Sequence, residues 1–119
     1  MRCLVAEDDA TSRVLLQRFL SKFGECDIAV DGKEAVQTVK TARQAKRSYD
    51  LVCMDLHMPV MNGQDAIREI REQESAAGVL RPAKIITLAQ QSQRDAYLMK
   101  PIDTGKLHSE LQEIGLIKK

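Results

Sequence analysis

Aromatic residues are scarce: there is no tryptophan, and two tyrosines and two phenylalanines make up a 3% share beside an ordinary 44% of apolar residues. Charge of one sign is lacking as well. Eighteen Lys and Arg nearly balance 17 Asp and Glu, so no global field draws the chain to nucleic acid or anionic lipid. The one basic stretch, "KTARQAKR" (40–47), has no interleaved aromatics and reads as the solvated end of a helix. No apolar run approaches the ~18 residues of a membrane span, and no signal peptide is expected before the first strand. The three cysteines, Cys3, Cys26 and Cys53, are odd in number and show no C-x-x-C or Cys/His spacing. That argues against a zinc site and for buried thiols in a reducing compartment, so the expected home is the cytoplasm.

What is present is alternation. Short apolar runs recur at 3–6 ("CLVA"), 26–30 ("CDIAV"), 51–54 ("LVCM"), 84–89 ("KIITLA") and 96–99 ("AYLM"). They are near-continuous, as parallel strands covered on both faces require. Amphipathic segments lie between most of them. Residues 11–23 are expected to place Val14, Leu15, Phe19, Leu20 and Phe23 on one face, with Gly24 as the stop. Residues 32–45 follow Asp31, which with Glu34 resembles a capping box, and bury Ala35, Val36 and Val39. Asn62 can cap a third helix carrying Ala66, Ile67 and Ile70, and Asp103 or Thr104 a last one carrying Leu107, Leu111 and Ile114 before Gly115. Strand–helix alternation over 119 residues implies one doubly wound α/β domain. There is no internal repeat, low-complexity tract or linker, and no room is expected for a second, output domain.

The stretch "DLVCMDLHMPVMNG" (50–63) ends a buried strand on a carboxylate, Asp55, ahead of a Met-Pro turn. Open parallel sheets hold their ligands at the carboxyl ends of the strands. The first strand ends in Glu7, Asp8 and Asp9, the third in Asp55, the fourth at or near Thr87, and Lys100-Pro101 follows the fifth. Singly, an Asp at a strand end is a turn former, a Lys before Pro a surface residue, and a Thr in a strand a matter of β propensity. Together they are a site. Converging carboxylates stay charged only beside a cation, and oxygen-only ligands suit Mg²⁺. A carboxylate next to Mg²⁺, a lysine and a hydroxyl can attack phosphorus and hold the acyl phosphate.

Over nearly its whole length the sequence resembles the receiver domains of two-component response regulators. The pieces that match are "LVAEDDATSR", Asp31 to Ala35, "LVCMDLHMPVMNG", "IITLA" and "AYLMKPI". The resemblance implies a flavodoxin-like five-stranded parallel sheet of order 2-1-3-4-5. It implies Asp55 as phosphoacceptor, Asp8 as a direct Mg²⁺ ligand and Glu7 as one through water, in the register set by Arg13. Asp9 falls outside that pair, as a loop or capping residue. His57 takes the place whose backbone carbonyl completes the metal shell, with its imidazole able to tune the acyl phosphate's lifetime. Thr87 matches the switch hydroxyl, Tyr97 the aromatic that follows it, and Lys100 the cation that pairs with the phosphoryl group. The family often holds the bond before the proline at 101 in cis. His108 has no visible partner and reads as a surface residue.

One departure stands out. Only residues 88–99 separate Thr87 from Lys100, and the last strand takes four of them. A parallel crossover needs about 10–12 residues and a mean helix alone is about 11–12. The fourth crossover helix is therefore expected to be missing or about one turn, with a homodimer contact over the gap favoured over exchange of the last strand and helix with a neighbour.

The resemblance implies a signalling module rather than a turnover enzyme. It would take its phosphoryl group from a sensor histidine kinase or a histidine phosphotransfer protein and present a switched surface to a downstream protein. Two rivals are weaker. A metal-dependent aspartyl-phosphate phosphatase of the haloacid dehalogenase type has a second acid two places after the nucleophile, where His57 stands. A phosphorylation-independent interaction module has no need of Glu7, Asp8, Asp55, Thr87 and Lys100 together.

Overall fold

The near-continuous apolar runs become the strands of one parallel sheet, because only residues apolar on both sides can be covered by helices on both faces. A computed structural model describes residues 1–89, 98–99 and 102–118. In chain order the elements are β1 (Arg2–Ala6), α1 (Ala10–Leu20), β2 (Glu25–Ala29), α2 (Gly32–Gln44), β3 (Leu51–Asp55), α3 (Gly63–Ala76), β4 (Lys84–Ala89), β5 (Leu98–Met99) and α4 (Thr104–Glu113). The strand order is β2-β1-β3-β4-β5 and every pairing is parallel. This is the expected order. The connection at 90–97, the expected short crossover, lies outside the described residues, as do Lys100 and Pro101.

Alternation along the strands divides the core into two layers. Leu4, Ala6, Val52 and Met54 face Ala35, Val36 and Val39 of α2 and Ala66 and Ile70 of α3. Cys3, Val5, Leu51 and Cys53 face Leu16 and Leu20 of α1 and Leu107 and Leu111 of α4. Each fully buried leucine contributes about 1.5–3 kcal/mol, so these two layers supply most of the drive to fold. The cysteines are free thiols in β1, β2 and β3. Burial pushes Cys3 up to about 12 and Cys26 to about 11.

The helices begin where side-chain oxygens can receive the first free N–H groups. Asp9 accepts from Ser12, Asp31 from Glu34, Asn62 from Asp65, and Asp103 from Gly105 and Lys106. Gly115 ends α4 at φ +81°, as anticipated.

The first helix differs from expectation. Its inward stripe is Ser12, Leu16 and Leu20, whereas Val14 and Leu15 are 44% and 38% exposed. Apolar residues lie on two sides of this segment, and the cap at Asp9 fixes the phase that buries the 12-16-20 row. The helix ends at Leu20 with Ser21 as its cap, so Gly24 is not the stop; it packs against the Met1 backbone. Phe23 lies past the helix with its ring 5.5 Å from that of Phe19. His108 is not a plain surface residue: it is half-buried, 6.3 Å from Phe19 and 6.0 Å from Phe23. The basic stretch at 40–47 does close α2, and its Arg47 pairs with Glu25 at 3.0 Å.

Candidate functional site

The carboxyl ends of β1 and β3 are neighbours in the sheet, so the acids that follow one strand and end the other must meet. Oxygens of Glu7, Asp8 and Asp55 all lie within 4.8 Å of one another. Glu7 and Asp55 are buried at 0% and 1% exposure, while Asp8 opens to solvent. Like charges this close repel, and a cation relieves the repulsion. The donor set is oxygen only, with one exposed member leaving room for water. That fits Mg²⁺, which takes one or two carboxylates and keeps several waters.

Main-chain hydrogen bonds hold each acid in place. The N–H of Glu7 donates to Ala29 at 3.0 Å, prolonging the β1–β2 ladder by one residue. Glu7 Oε1 accepts from the N–H of Asp9 at 3.0 Å, and Asp9 in turn caps α1. Asp9 is thus the capping residue expected outside the pair. Arg13 turns back from α1, and its Nη1 donates to the carbonyl oxygens of Glu7 and Asp8 at 3.3 and 3.4 Å. Sequence reasoning used Arg13 only to set the register; the structure gives it a part in shaping the acidic loop.

Asp55 is held from both sides of its strand end. The N–H of Leu56 donates to the Leu88 carbonyl at 2.9 Å, and the N–H of His57 donates to Asp55 Oδ1 at 3.0 Å. His57 itself is exposed. The chain then makes a tight turn about Val60, where Met61 N–H donates to the Pro59 carbonyl at 2.7 Å. Val60 has φ +69°, a left-handed conformation rarely adopted by a β-branched residue. The turn brings the start of α3 beneath the acid. Gly63 sits so close that a Cβ there would overlap the Asp55 carbonyl oxygen. This contact was not read from the sequence, although a glycine directly after a capping Asn was its visible signal.

Thr87 is half-buried in β4, opposite Met54 and one residue before Leu88, the register partner of Asp55. The strand runs on to Ala89, so Thr87 lies near its carboxyl end, as expected. The structure therefore brings Glu7, Asp8 and Asp55 together and sets Thr87 on the adjacent strand. Tyr97 and Lys100 lie outside the described residues. Among the described residues, no helix is long and apolar enough to cross a membrane.

A family model, the response regulator receiver domain, matches residues 3–112. The sensory/regulatory protein RpfC of Xanthomonas campestris pv. campestris is 32% identical over 125 aligned positions, covering 98% of this chain. The chain spans only 17% of that relative's length. Among solved structures, the chain is similar to the receiver domain of the response regulator Ssk1 of Saccharomyces cerevisiae, co-crystallised with the histidine phosphotransfer protein Ypd1. The TM-score is 0.76 and the identity 27%, over 98% of this chain and 89% of that one. It is also similar to the receiver domain of the sensor histidine kinase PA1611 of Pseudomonas aeruginosa PAO1, which holds a magnesium ion in its active-site cleft. There the TM-score is 0.74 and the identity 28%, over 94% of each chain.

Proposed function

The chain belongs to the response regulator receiver domain family, and we propose that it accepts a phosphoryl group on Asp55 in a two-component or phosphorelay pathway. The observation that carries this reading is the meeting of Glu7, Asp8 and Asp55 within 4.8 Å at the carboxyl end of the sheet.

Asp55 acts as the nucleophile. A carboxylate oxygen forms a bond to phosphorus as the bond from phosphorus to the donor breaks, and the donor leaves with that electron pair. The His57 N–H fixes the carboxylate during attack. Glu7 and Asp8 would hold Mg²⁺ with Asp55, Asp8 directly and Glu7 through water, and the His57 carbonyl would complete the set. When bound, the ion neutralises the acids and the phosphoryl oxygens. By resemblance, Lys100 pairs with a phosphoryl oxygen, Thr87 donates its hydroxyl to another, and Tyr97 follows Thr87 to change the outer surface. The domain promotes its own phosphorylation and dephosphorylation, and is a signalling module rather than a turnover enzyme.

The phosphodonor is a sensor histidine kinase or a histidine phosphotransfer protein, and a downstream protein reads the changed surface. The phosphotransfer partner of Ssk1 and the kinases among the relatives support the first part. Free buried thiols at Cys3 and Cys53 support a reducing compartment such as the cytoplasm. Titration with beryllofluoride and Mg²⁺, followed by amide NMR, tests the reading. Saturable shifts at Glu7–Asp9, His57–Gly63 and Thr87 are expected; a spectrum that does not respond contradicts it.

A further inference from the structure

The connection between α3 and β4 is pinned at both ends by one residue. Glu74 is buried in the last turn of α3. Its main-chain oxygen accepts the N–H of Val79 at 3.0 Å, and its Oε2 accepts the N–H of Ala83 at 2.9 Å. Its Oε1 pairs with Arg71 at 2.6 Å. Gly78, at φ +65°, completes the reversal by donating to Ser75 at 3.2 Å. Between these anchors Leu80 stands 95% exposed. Exposure on this scale does nothing for folding, yet the stem that presents the side chain is held by the buried Glu74 carboxylate, which is costly to desolvate and pairs with the exposed Arg71.

Leu80 forms a ridge between two grooves of about 840 and 450 Å³ that it lines jointly with Val79 and Pro82. The larger groove continues to Leu116, which the turn after α4 places there through an N–H bond to the Leu111 carbonyl at 3.0 Å. Its rim carries Arg81 and Lys84, and neither makes an ion pair among the described residues. The groove also carries one acid, the exposed Asp50, whose carboxylate accepts the Arg2 main-chain N–H at 2.8 Å. The patch thus offers an apolar knob on a held stem, apolar flanks and two basic side chains against one carboxylate. It lies at the amino ends of β3 and β4, the end of the sheet opposite Asp55.

We infer that this end of the sheet is a docking surface for an acidic amphipathic helix of a partner protein. A single projecting leucine between two grooves fits the hole formed by side chains three and four apart on a helix. Carboxylates flanking that hole meet Arg81 and Lys84. Because the stem is already ordered, docking costs little loop entropy. Being remote from the carboxylate cluster, the surface holds its partner whatever the state of Asp55.

The test is selection of the whole chain against a random-peptide display library, with the footprint of enriched peptides mapped by amide NMR. Enriched peptides are expected to carry apolar residues three or four apart flanked by Asp or Glu, and to shift Val79, Leu80, Arg81, Lys84 and Leu116. Affinity should be the same with and without beryllofluoride and Mg²⁺, which separates this result from that of the phosphorylation reading. Leu80→Ser should weaken the selected peptide by about tenfold or more, as loss of a central anchor does. Arg81→Glu with Lys84→Glu should reverse the charge preference. Thermal unfolding of both variants should match that of the parent, since these side chains are exposed. No enrichment, a basic or neutral consensus, or a footprint elsewhere overturns the inference. So does self-association abolished by Leu80→Ser, which assigns the face to a second copy, or binding of phosphatidylserine vesicles without peptide enrichment.

Discussion

The main-chain N–H of His57 donates to Oδ1 of Asp55 across 3.0 Å, so the residue two places after the acid orients it through the backbone. His57→Ala keeps that bond and should leave labelling of the protein by acetyl phosphate intact, with only the lifetime of the label altered. His57→Pro removes the donor and should slow labelling by at least about tenfold, since displacing a reacting group by an ångström is enough for such a loss. Equal behaviour of the two variants in a labelling time course contradicts the orienting bond.

The three clustered carboxylates should make the metal-free protein less stable than it need be. Asp8 is the exposed member, so Asp8→Ala relieves repulsion without opening a cavity. Without Mg²⁺ it should raise stability by roughly 1 kcal/mol, the repulsion being reduced by solvent. With Mg²⁺ present the order should reverse, because the variant loses a direct ligand. Glu7→Ala should weaken the ion less. Thermal melts at several Mg²⁺ concentrations decide this; parallel curves for parent and Asp8→Ala count against Asp8 as a ligand.

Val60 carries left-handed strain in the turn that follows the site. Glycine adopts φ > 0 without that penalty, so Val60→Gly should stabilise the fold by about 1 kcal/mol despite the added freedom of the unfolded chain. The side chain is 78% exposed, so little burial is lost. A lowered urea midpoint in the variant contradicts this.

Tyr49 donates its hydroxyl to Asp27 Oδ2 at 2.6 Å, and burial, then that bond, pushes its ionisation up to about 12. A group that holds its proton more tightly when folded contributes stability that is complete below its ordinary value of about 10 and is lost as pH rises through the folded value. Tyr49→Phe should therefore cost about 1–2 kcal/mol at neutral pH. The gap to the parent should narrow as pH climbs from about 10 to 12. A gap that is constant across that range removes the bond to Asp27 as its cause.

The sheet was legible because strands covered on both faces must be continuously apolar. The meeting of Glu7 and Asp8 with Asp55 was legible because β1 and β3 are adjacent in the order the resemblance implies. The phase of α1 was not. Val14 and Leu15 are as apolar as Leu16 and Leu20, and only the cap at Asp9 and the packing of β1 and β3 choose between the rows. Glu74 was equally hidden: a glutamate in an amphipathic helix reads as solvated, and its burial depends on the loop folding back to offer the Ala83 N–H. Arg13 and Gly63 act through main-chain oxygens, which no side-chain pattern records. Tyr97, Lys100 and the shortened crossover remain readings of the sequence.

The most direct test of the central claim is site-resolved mass spectrometry after incubation with acetyl phosphate and Mg²⁺. One phosphoryl group should appear in the intact mass, and borohydride, which reduces the acyl phosphate and releases phosphate, should leave homoserine at position 55; both marks should be absent without Mg²⁺ and absent in Asp55→Asn, whose amide is a poor nucleophile. Label on another residue, or undiminished labelling of Asp55→Asn, contradicts the account.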